Sequence, residues 1–371
     1  MEQVDVAIVG AGLLGSATAR VLAARGVQAV LFEQFGLDHD RGSSHGATRI
    51  FRLSYPDPVY VRMAVAAQRL WAELADEADE ELVVPTGGLD AGPDAGGCAD
   101  ALAACGVRHT WLTAGDMREQ FPGIAMRPDE RMLLQPDAGA SLAGRSVAAL
   151  QRLARRDGAE IRSGTPVLGV RVKGDRAVLQ TAAGEISAAV VVIAAGGWAA
   201  RLLTGALPRP PKLTATLQRV RYFAPREPGS AWPTLIEWIP AGMTWYVVPQ
   251  AGGAPGVKVA SHDRGPVVDP AAGPFTDIDP VAEERAAWYV RDRMPGLDPI
   301  GLDPETCLYT MTTDEHFVLD REGPIVVGSG GSGHAFKFGP LLGEKLADLA
   351  QGGDTGLPRR HFALSRPGLA G

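Results

Sequence analysis

The sequence predicts an α/β fold in two connected parts, and three observations carry that expectation. The chain opens on a strand, a glycine-rich turn, a helix and a second strand. A later β-branched run, residues 188–193, leads into Gly196 and Gly197. A separate group of strands, between residues 217 and 259, holds Trp232, Trp238, Trp245 and Tyr246. Continuous apolar runs of this length read as strands buried on both faces, which requires helices above and below. At 371 residues the chain exceeds one simple core, so two intimately connected domains are expected.

The opening unit spans residues 4–33. Residues 4–9 form an apolar run long enough for a buried strand and too short for a helix. Gly10-Ala11-Gly12-Leu13-Leu14-Gly15 follows and reads G-x-G-x-x-G. Leu14, Ala17, Val21 and Leu22 recur at helical spacing until Gly26 stops the helix. A second apolar run, residues 27–32, ends in Glu33. Gly10 permits the tight turn, Gly12 lets backbone approach a pyrophosphate, and Gly15 lets the helix pack closely on the strand. The helix N-terminus offers unpaired N–H groups and partial positive charge to phosphates. Glu33 can accept hydrogen bonds from an adenosine ribose. A glycine turn alone is explained by packing, but the whole ordered unit points to a Rossmann-like dinucleotide site. It does not choose between NAD and FAD.

A polar loop at 36–41 leads into Gly42-Ser43-Ser44-His45-Gly46, which formally matches the hydrolase pattern G-x-S-x-G. That motif needs a strand directly before it, and GLDHDR is none, so the hydrolase reading is set aside. Arg49 and Arg52, three apart, are expected on one side of a helical turn, and composition alone favours surface positions. Residues 59–74 have helical spacing, and residues 83–89 and 132–134 read as short strands of another sheet. Cys98 and Cys105 fall in an Ala/Gly-rich helix as small core residues. Residues 146–156 read as a helix, and 159–172 and 177–181 as strands around a turn at Gly174-Asp175. Residues 188–197 read as a buried parallel strand meeting something flat. Residues 324–328 read as a short strand, 328–339 as a glycine-rich turn suited to a large planar ligand, and 341–349 as a closing helix.

Composition narrows the class. Hydrophobic residues at 46% and charged at 21% describe a soluble globular protein. A net charge of −7 gives no basic footprint, so nucleic acid is not an expected partner. The 3 cysteines, Cys98, Cys105 and Cys307, form neither a disulfide framework nor a metal cluster, which favours a reducing cytoplasm and no metal. Glu2 and the missing basic region argue against a signal peptide. The longest uncharged run, 238–257, is broken by Pro240, Pro249 and Pro255 and cannot be a spanning helix, so no membrane partner is expected.

Five ordered segments carry a family resemblance. GSSHGATRIFR at 42–52, AAGGWAARLL at 194–203, GVKVASH at 256–262, CLYTMTTDEHFVLD at 307–320 and SGHAFKF at 332–338 together resemble the monomeric sarcosine oxidase and N-methyltryptophan oxidase family. That family lies within the D-amino-acid-oxidase-like flavoenzymes. The chain departs from it at Ser44 and Ala47, where a histidine and an aspartate are expected, and at Trp245, which replaces a tyrosine.

The resemblance implies an α/β fold: a Rossmann-like FAD-binding domain, residues 1–82, 142–215 and 318–371, with a second, mainly antiparallel β-sheet substrate domain, residues 83–141 and 216–317. It implies FAD tethered through the Cys307 sulfur. It also places Gly10, Gly12, Gly15, Glu33, Ser43, His45, Thr48, Gly196, Trp198, Gly333 and Lys337 at the cofactor. Arg52 and Lys337 would bind a substrate carboxylate, a fork and a point charge respectively. Tyr246, Tyr309 and Trp245 would line the substrate site, with His262 near the reacting amine and Arg49 and Lys258 beside the flavin; Lys258, Arg49, His262 and Tyr309 would be the catalytic residues. The implied activity is oxidation of a carboxylate-bearing secondary or tertiary amine, an N-methyl or cyclic amino acid, to an imine, with O2 reduced to H2O2. The alternatives are a dehydrogenase using another electron acceptor and a flavin-binding protein without turnover. The expected partners are the small amine and O2, and the expected state is a monomer or simple homo-oligomer.

Overall fold

The computed structural model describes residues 1–239, 243–276 and 278–369, so Pro240 of the uncharged run lies outside the described residues. Strand Glu2–Val9 lies at the centre of an eight-stranded sheet, parallel to Gly184–Ile193 on one side and to Ala29–Phe32 on the other. Its side chains alternate between two cores, as a two-residue period requires. Val6 and Ile8 join Leu22, Leu150 and Leu346 under the helices Leu13–Ala24, Ala143–Arg156 and Gly339–Ala350. Ala7 and Val9 join Leu202 and Leu203 of helix Ala199–Ala206 on the opposite face.

Two strand expectations change in detail. Residues 159–172 are two strands, not one. Glu160–Arg162 extends the parallel sheet beside Ala29–Phe32, whereas Val167–Lys173 pairs antiparallel with Arg176–Thr181 at the other edge. The break falls at Gly164, whose φ of +63° leaves the extended region, and at Pro166, which cannot donate to a ladder. Strand Gly184–Ile193 is parallel to Glu2–Val9 and to Ile325–Ser329, but antiparallel to Arg176–Thr181.

The second sheet has nine strands and is antiparallel apart from the pairing of Thr234–Ile239 with Gly88–Ala91. Helix Pro280–Arg293 packs on one face through Tyr289 and Val290. The 12-residue strand Thr214–Pro225 pairs through its first half with Glu305–Met311 and through its second half with Val257–Ser261. A third, three-stranded sheet joins Thr48–Phe51, Gly139–Leu142 and Val83–Pro85. This corrects the helical expectation for Arg49 and Arg52: Arg49 lies on a strand and Arg52 just past its end, and Arg52 is buried. Three-residue spacing fits a helix, but burial of Phe51 and pairing with Gly139–Leu142 decide otherwise.

Candidate active site

One cavity of about 770 Å³ is lined by residues of all three sheets, from Gly10 and Glu33 at one end to Arg52 and Lys337 at the other. At the first end the glycines act through backbone geometry. Gly10 has φ +102°, and a Cβ there would lie 2.6 Å from the Ala194 carbonyl oxygen. A Cβ on Gly15 would lie 1.9 Å from the Gly10 oxygen, so Gly15 seats the helix on the turn rather than lining the cavity. Gly12 caps a helix that has no side-chain cap of its own and no acid in its first turn, while Ser44 Oγ accepts from the Leu13 N–H at 3.0 Å. Glu33 accepts from the Ala11 and Phe35 amides at 2.9 and 3.0 Å. Burial works against its charge, yet His39 and those two amides hold its carboxyl below the usual carboxylate range. Gly196 and Trp198 line the same end, Trp198 lying edge-on to Phe35 at 5.8 Å.

In the middle of the cavity the segment 42–49 folds back on the strand Glu305–Met311. Ser43 Oγ donates to the Leu308 carbonyl oxygen. Arg49 donates to the carbonyl oxygens of Ser43, His45 and Thr48 at 2.7–2.9 Å, which binds the segment into one turn. Lys258 faces the cavity, whereas its neighbours Val257 and Val259 face the core of the second sheet. Lys258 is 3% exposed, and its Nζ donates to the Thr48 oxygen at 3.2 Å. Burial, followed by the charge of Arg49, pushes the Lys258 pKa down to about 7, against Glu305 and Cys307. Cys307 also lines the cavity, its thiol pushed up by burial and pulled back by Arg49 and Lys258. Burial, then Arg49, lowers His45 to about 4, so this imidazole is neutral at pH 7. His45 Nε2 and Thr48 Oγ1 are buried and without hydrogen-bond partners. The helix start at one end and these two unsatisfied buried polar atoms in the middle fit a dinucleotide carrying a planar ring system.

At the far end Arg52 is stacked 4.3 Å from the Tyr55 ring centroid. Lys337 Nζ donates to Tyr55 Oη at 2.8 Å and to the His334 oxygen at 2.7 Å. Burial first, and then Arg52, holds the Lys337 pKa well below the ordinary lysine value. His262 Nδ1 lies 3.3 Å from Tyr309 Oη, and Tyr246 stands edge-on to His262 at 6.3 Å. Burial, then Arg52, lowers His262 to about 4. Gly333 closes against this group, where a Cβ would lie 2.4 Å from the Tyr309 ring.

Trp245 requires correction. It is one residue from Tyr246, so strand alternation turns it to the other face, where it is 1% exposed and stacked on Tyr289 at 4.5 Å. It does not line the cavity. Three residues near the site, Glu305, Asp90 and Tyr55, had not been singled out. Glu305 lines the cavity two positions before Cys307 on the same face, and accepts from Tyr222 Oη at 2.8 Å. Asp90 stands behind Arg52, and its only sequence signal was one acid in an otherwise apolar strand. Tyr55 flanks Arg52 and carried no signal beyond being aromatic, whereas Trp238, also against Arg52, belongs to the aromatic group noted between residues 217 and 259.

A family model described as FAD dependent oxidoreductase matches residues 5–349. The chain is 31% identical to the monomeric sarcosine oxidase of an Arthrobacter species, over 98% of this chain and 97% of that protein. It is 35% identical to the monomeric sarcosine oxidase of Streptomyces avermitilis, over 95% of each. The solved structure of NikD, an unusual amino acid oxidase essential for nikkomycin biosynthesis, superposes with a TM-score of 0.87 at 28% identity, covering 98% of both chains. No helix among the described residues is long and apolar enough to cross a membrane. A cradle for a dinucleotide, full-length similarity to sarcosine oxidases and a matching family model converge: the chain belongs to the family of FAD-dependent oxidoreductases.

Proposed function

We propose that this protein oxidises the C–N bond of a carboxylate-bearing secondary or tertiary amine, an N-methyl amino acid such as sarcosine or a cyclic amino acid. The observation that carries the reading is the pair Arg52 and Lys337 at the end of the FAD cavity remote from Glu33. The chemistry FAD supplies when bound is acceptance of a hydride equivalent from the carbon next to nitrogen and its delivery to O2, which leaves as H2O2. The resulting imine is open to hydrolysis by water. Residues 1–82, 142–215 and 318–371 hold FAD in this reading, and 83–141 and 216–317 hold the substrate. Free cysteines at 98, 105 and 307 support a cytoplasmic setting.

Each side chain has a separate task. Arg52 and Lys337 bind the carboxylate and so orient the amine. His262, neutral at pH 7, stands near the amine without adding charge, and Tyr246 and Tyr309 wall it from water. Cys307 holds FAD covalently through its sulfur. Lys258 presents a fixed ammonium where negative charge develops on O2. The amine class is tested by a peroxide-coupled screen of N-methyl and cyclic amino acids. Turnover with the acids and none with their decarboxylated analogues supports the reading, and equal turnover of both overturns it. A chain reduced by these acids but inert toward O2 would be a dehydrogenase using another acceptor. The tether is tested by acid precipitation: yellow colour stays in the pellet, and Cys307→Ala releases it to the supernatant. Free flavin from the unaltered protein refutes the tether.

A further inference from the structure

Asp90 is a fully buried carboxylate on the strand Gly88–Ala91. Gln135 fixes it: the Gln135 Oε1 accepts from the amides of Leu53 and Ser54 at 2.9 and 2.8 Å, and its Nε2 donates to Asp90 Oδ2 at 2.5 Å. The other oxygen, Oδ1, has no hydrogen bond and lies 3.6 Å from Arg52 Nη1. Arg52 therefore meets the cavity with a counter-ion already behind it. Lys337 Nζ donates two hydrogen bonds, to Tyr55 and to the His334 carbonyl. A neutral Nζ in this setting would use both of its N–H bonds on these two acceptors and leave its lone pair open.

We propose that Asp90 makes the carboxylate site proton-linked: it is the built-in counter-ion of Arg52, so a substrate carboxylate enters together with one proton, taken up by Lys337 and Asp90. The inference rests on the reading of Arg52 and Lys337 as carboxylate ligands. Without the proton, two carboxylates would share one guanidinium in a buried site, leaving an uncompensated negative charge. A zwitterionic amino acid supplies the proton itself. Its ammonium N–H bond breaks, the electron pair stays on the substrate nitrogen, and a new N–H bond forms at Lys337 Nζ. The substrate is left as the free amine, the form from which the adjacent C–H can be oxidised. Dicarboxylate ligands would need a second proton and are disfavoured.

The surrounding groups agree with this direction. Asp90 is faced by Arg52, Ser54, Gln135, Tyr55 and the thiol of Cys98, and burial raises its pKa against the pull of Arg52. Lys337 is faced by Arg52, Tyr55, His334 and His262, and burial lowers it with Arg52 in support. Each is displaced toward its uncharged form. Asp90 is a positioning residue, since it reaches the substrate only through Arg52.

The test is calorimetric titration of the FAD-loaded protein at pH 8 with (methylthio)acetate, a carboxylate that has a thioether in place of the amine. Buffers of different ionisation enthalpy give the proton count without any turnover. About one proton should be taken up, and Kd should rise about tenfold per pH unit wherever that uptake is complete. Asp90→Asn, with its fold checked by circular dichroism, should bring the uptake near zero and flatten that dependence. Binding to the unaltered protein without proton uptake overturns the inference and leaves the carboxylate reading intact. No binding at all overturns both. An Asp90→Asn protein with the same uptake removes Asp90 from the linkage.

Discussion

The two ends of the cavity are built by different means. The end at Gly10 and Glu33 is organised by the backbone of one continuous stretch, residues 10–15, joined by Glu33, Ser44 and Trp198, with glycine where a side chain would collide. The end at Arg52 and Lys337 is made of side chains that residues 52, 55, 90, 135, 262, 309 and 337 bring together from distant parts of the chain. The first end is thus sensitive to atoms added, the second to charges removed. What binds a dinucleotide by its phosphates needs shape and amides, whereas what selects a small amine needs placed charge.

That contrast can be broken or sharpened by four substitutions. Lys258→Met should have the largest effect if the charge reading holds. At about 4 Å and an effective dielectric near 20, an ammonium stabilises a developing anion by about 4 kcal/mol, roughly a thousandfold in rate. Stopped-flow measurement should show slow reoxidation with anaerobic reduction little changed, and equal slowing of both removes Lys258 from the oxygen step. In the unaltered protein the charge is present below about pH 7 and lost above it, so reoxidation should slow as pH rises through that value.

Gly15→Ala tests the backbone end by adding one methyl group. Its Cβ would lie 1.9 Å from the Gly10 oxygen, so the helix must move, at a cost of about 3 kcal/mol. A lower Tm and lower FAD content after purification are expected, and normal values for both would show that the turn has slack. Arg52→Lys tests the charged end while keeping a cation beside Asp90. Losing the planar fork, about 1.5–3 kcal/mol for a charge-assisted hydrogen bond, should raise KM ten- to a hundredfold for acid substrates. An unchanged KM moves carboxylate recognition elsewhere. The smallest effect belongs to Trp245→Phe. Trp245 packs on Tyr289 and its indole N–H has no partner, so Tm should fall by about 2 °C while KM stays within about twofold. A large change in KM would return Trp245 to the substrate site.

The same contrast explains what was legible in the sequence. Strand, turn, helix and Glu33 are neighbours in the chain, so local pattern alone located the dinucleotide end. Lys258 was ambiguous from alternation, which says only that it opposes Val257 and Val259. Which face is dry depends on the helix Pro280–Arg293 covering one side of the sheet and the cavity opening on the other. Trp245 was misassigned by its neighbour, since adjacent residues on a strand share a sequence but not a face. Asp90 lay in view as an acid in a strand, but its meaning needs Arg52, Gln135 and Lys337 at once, and no spacing rule connects them.

The strand Thr214–Pro225 has a wider consequence. Gln218 on it is paired with Cys307, and Tyr222 with Lys258. Four residues along one strand, roughly 13 Å, thus act as a ruler between these two positions. A one-residue insertion between Gln218 and Tyr222 would lengthen the ruler and turn one of the two side chains out of the cavity. Loops, and the strands further along the same sheet at Trp238 and Asp90, are free of that constraint. New substrate preferences are therefore more readily reached by change in those parts, while this strand is held to a fixed length.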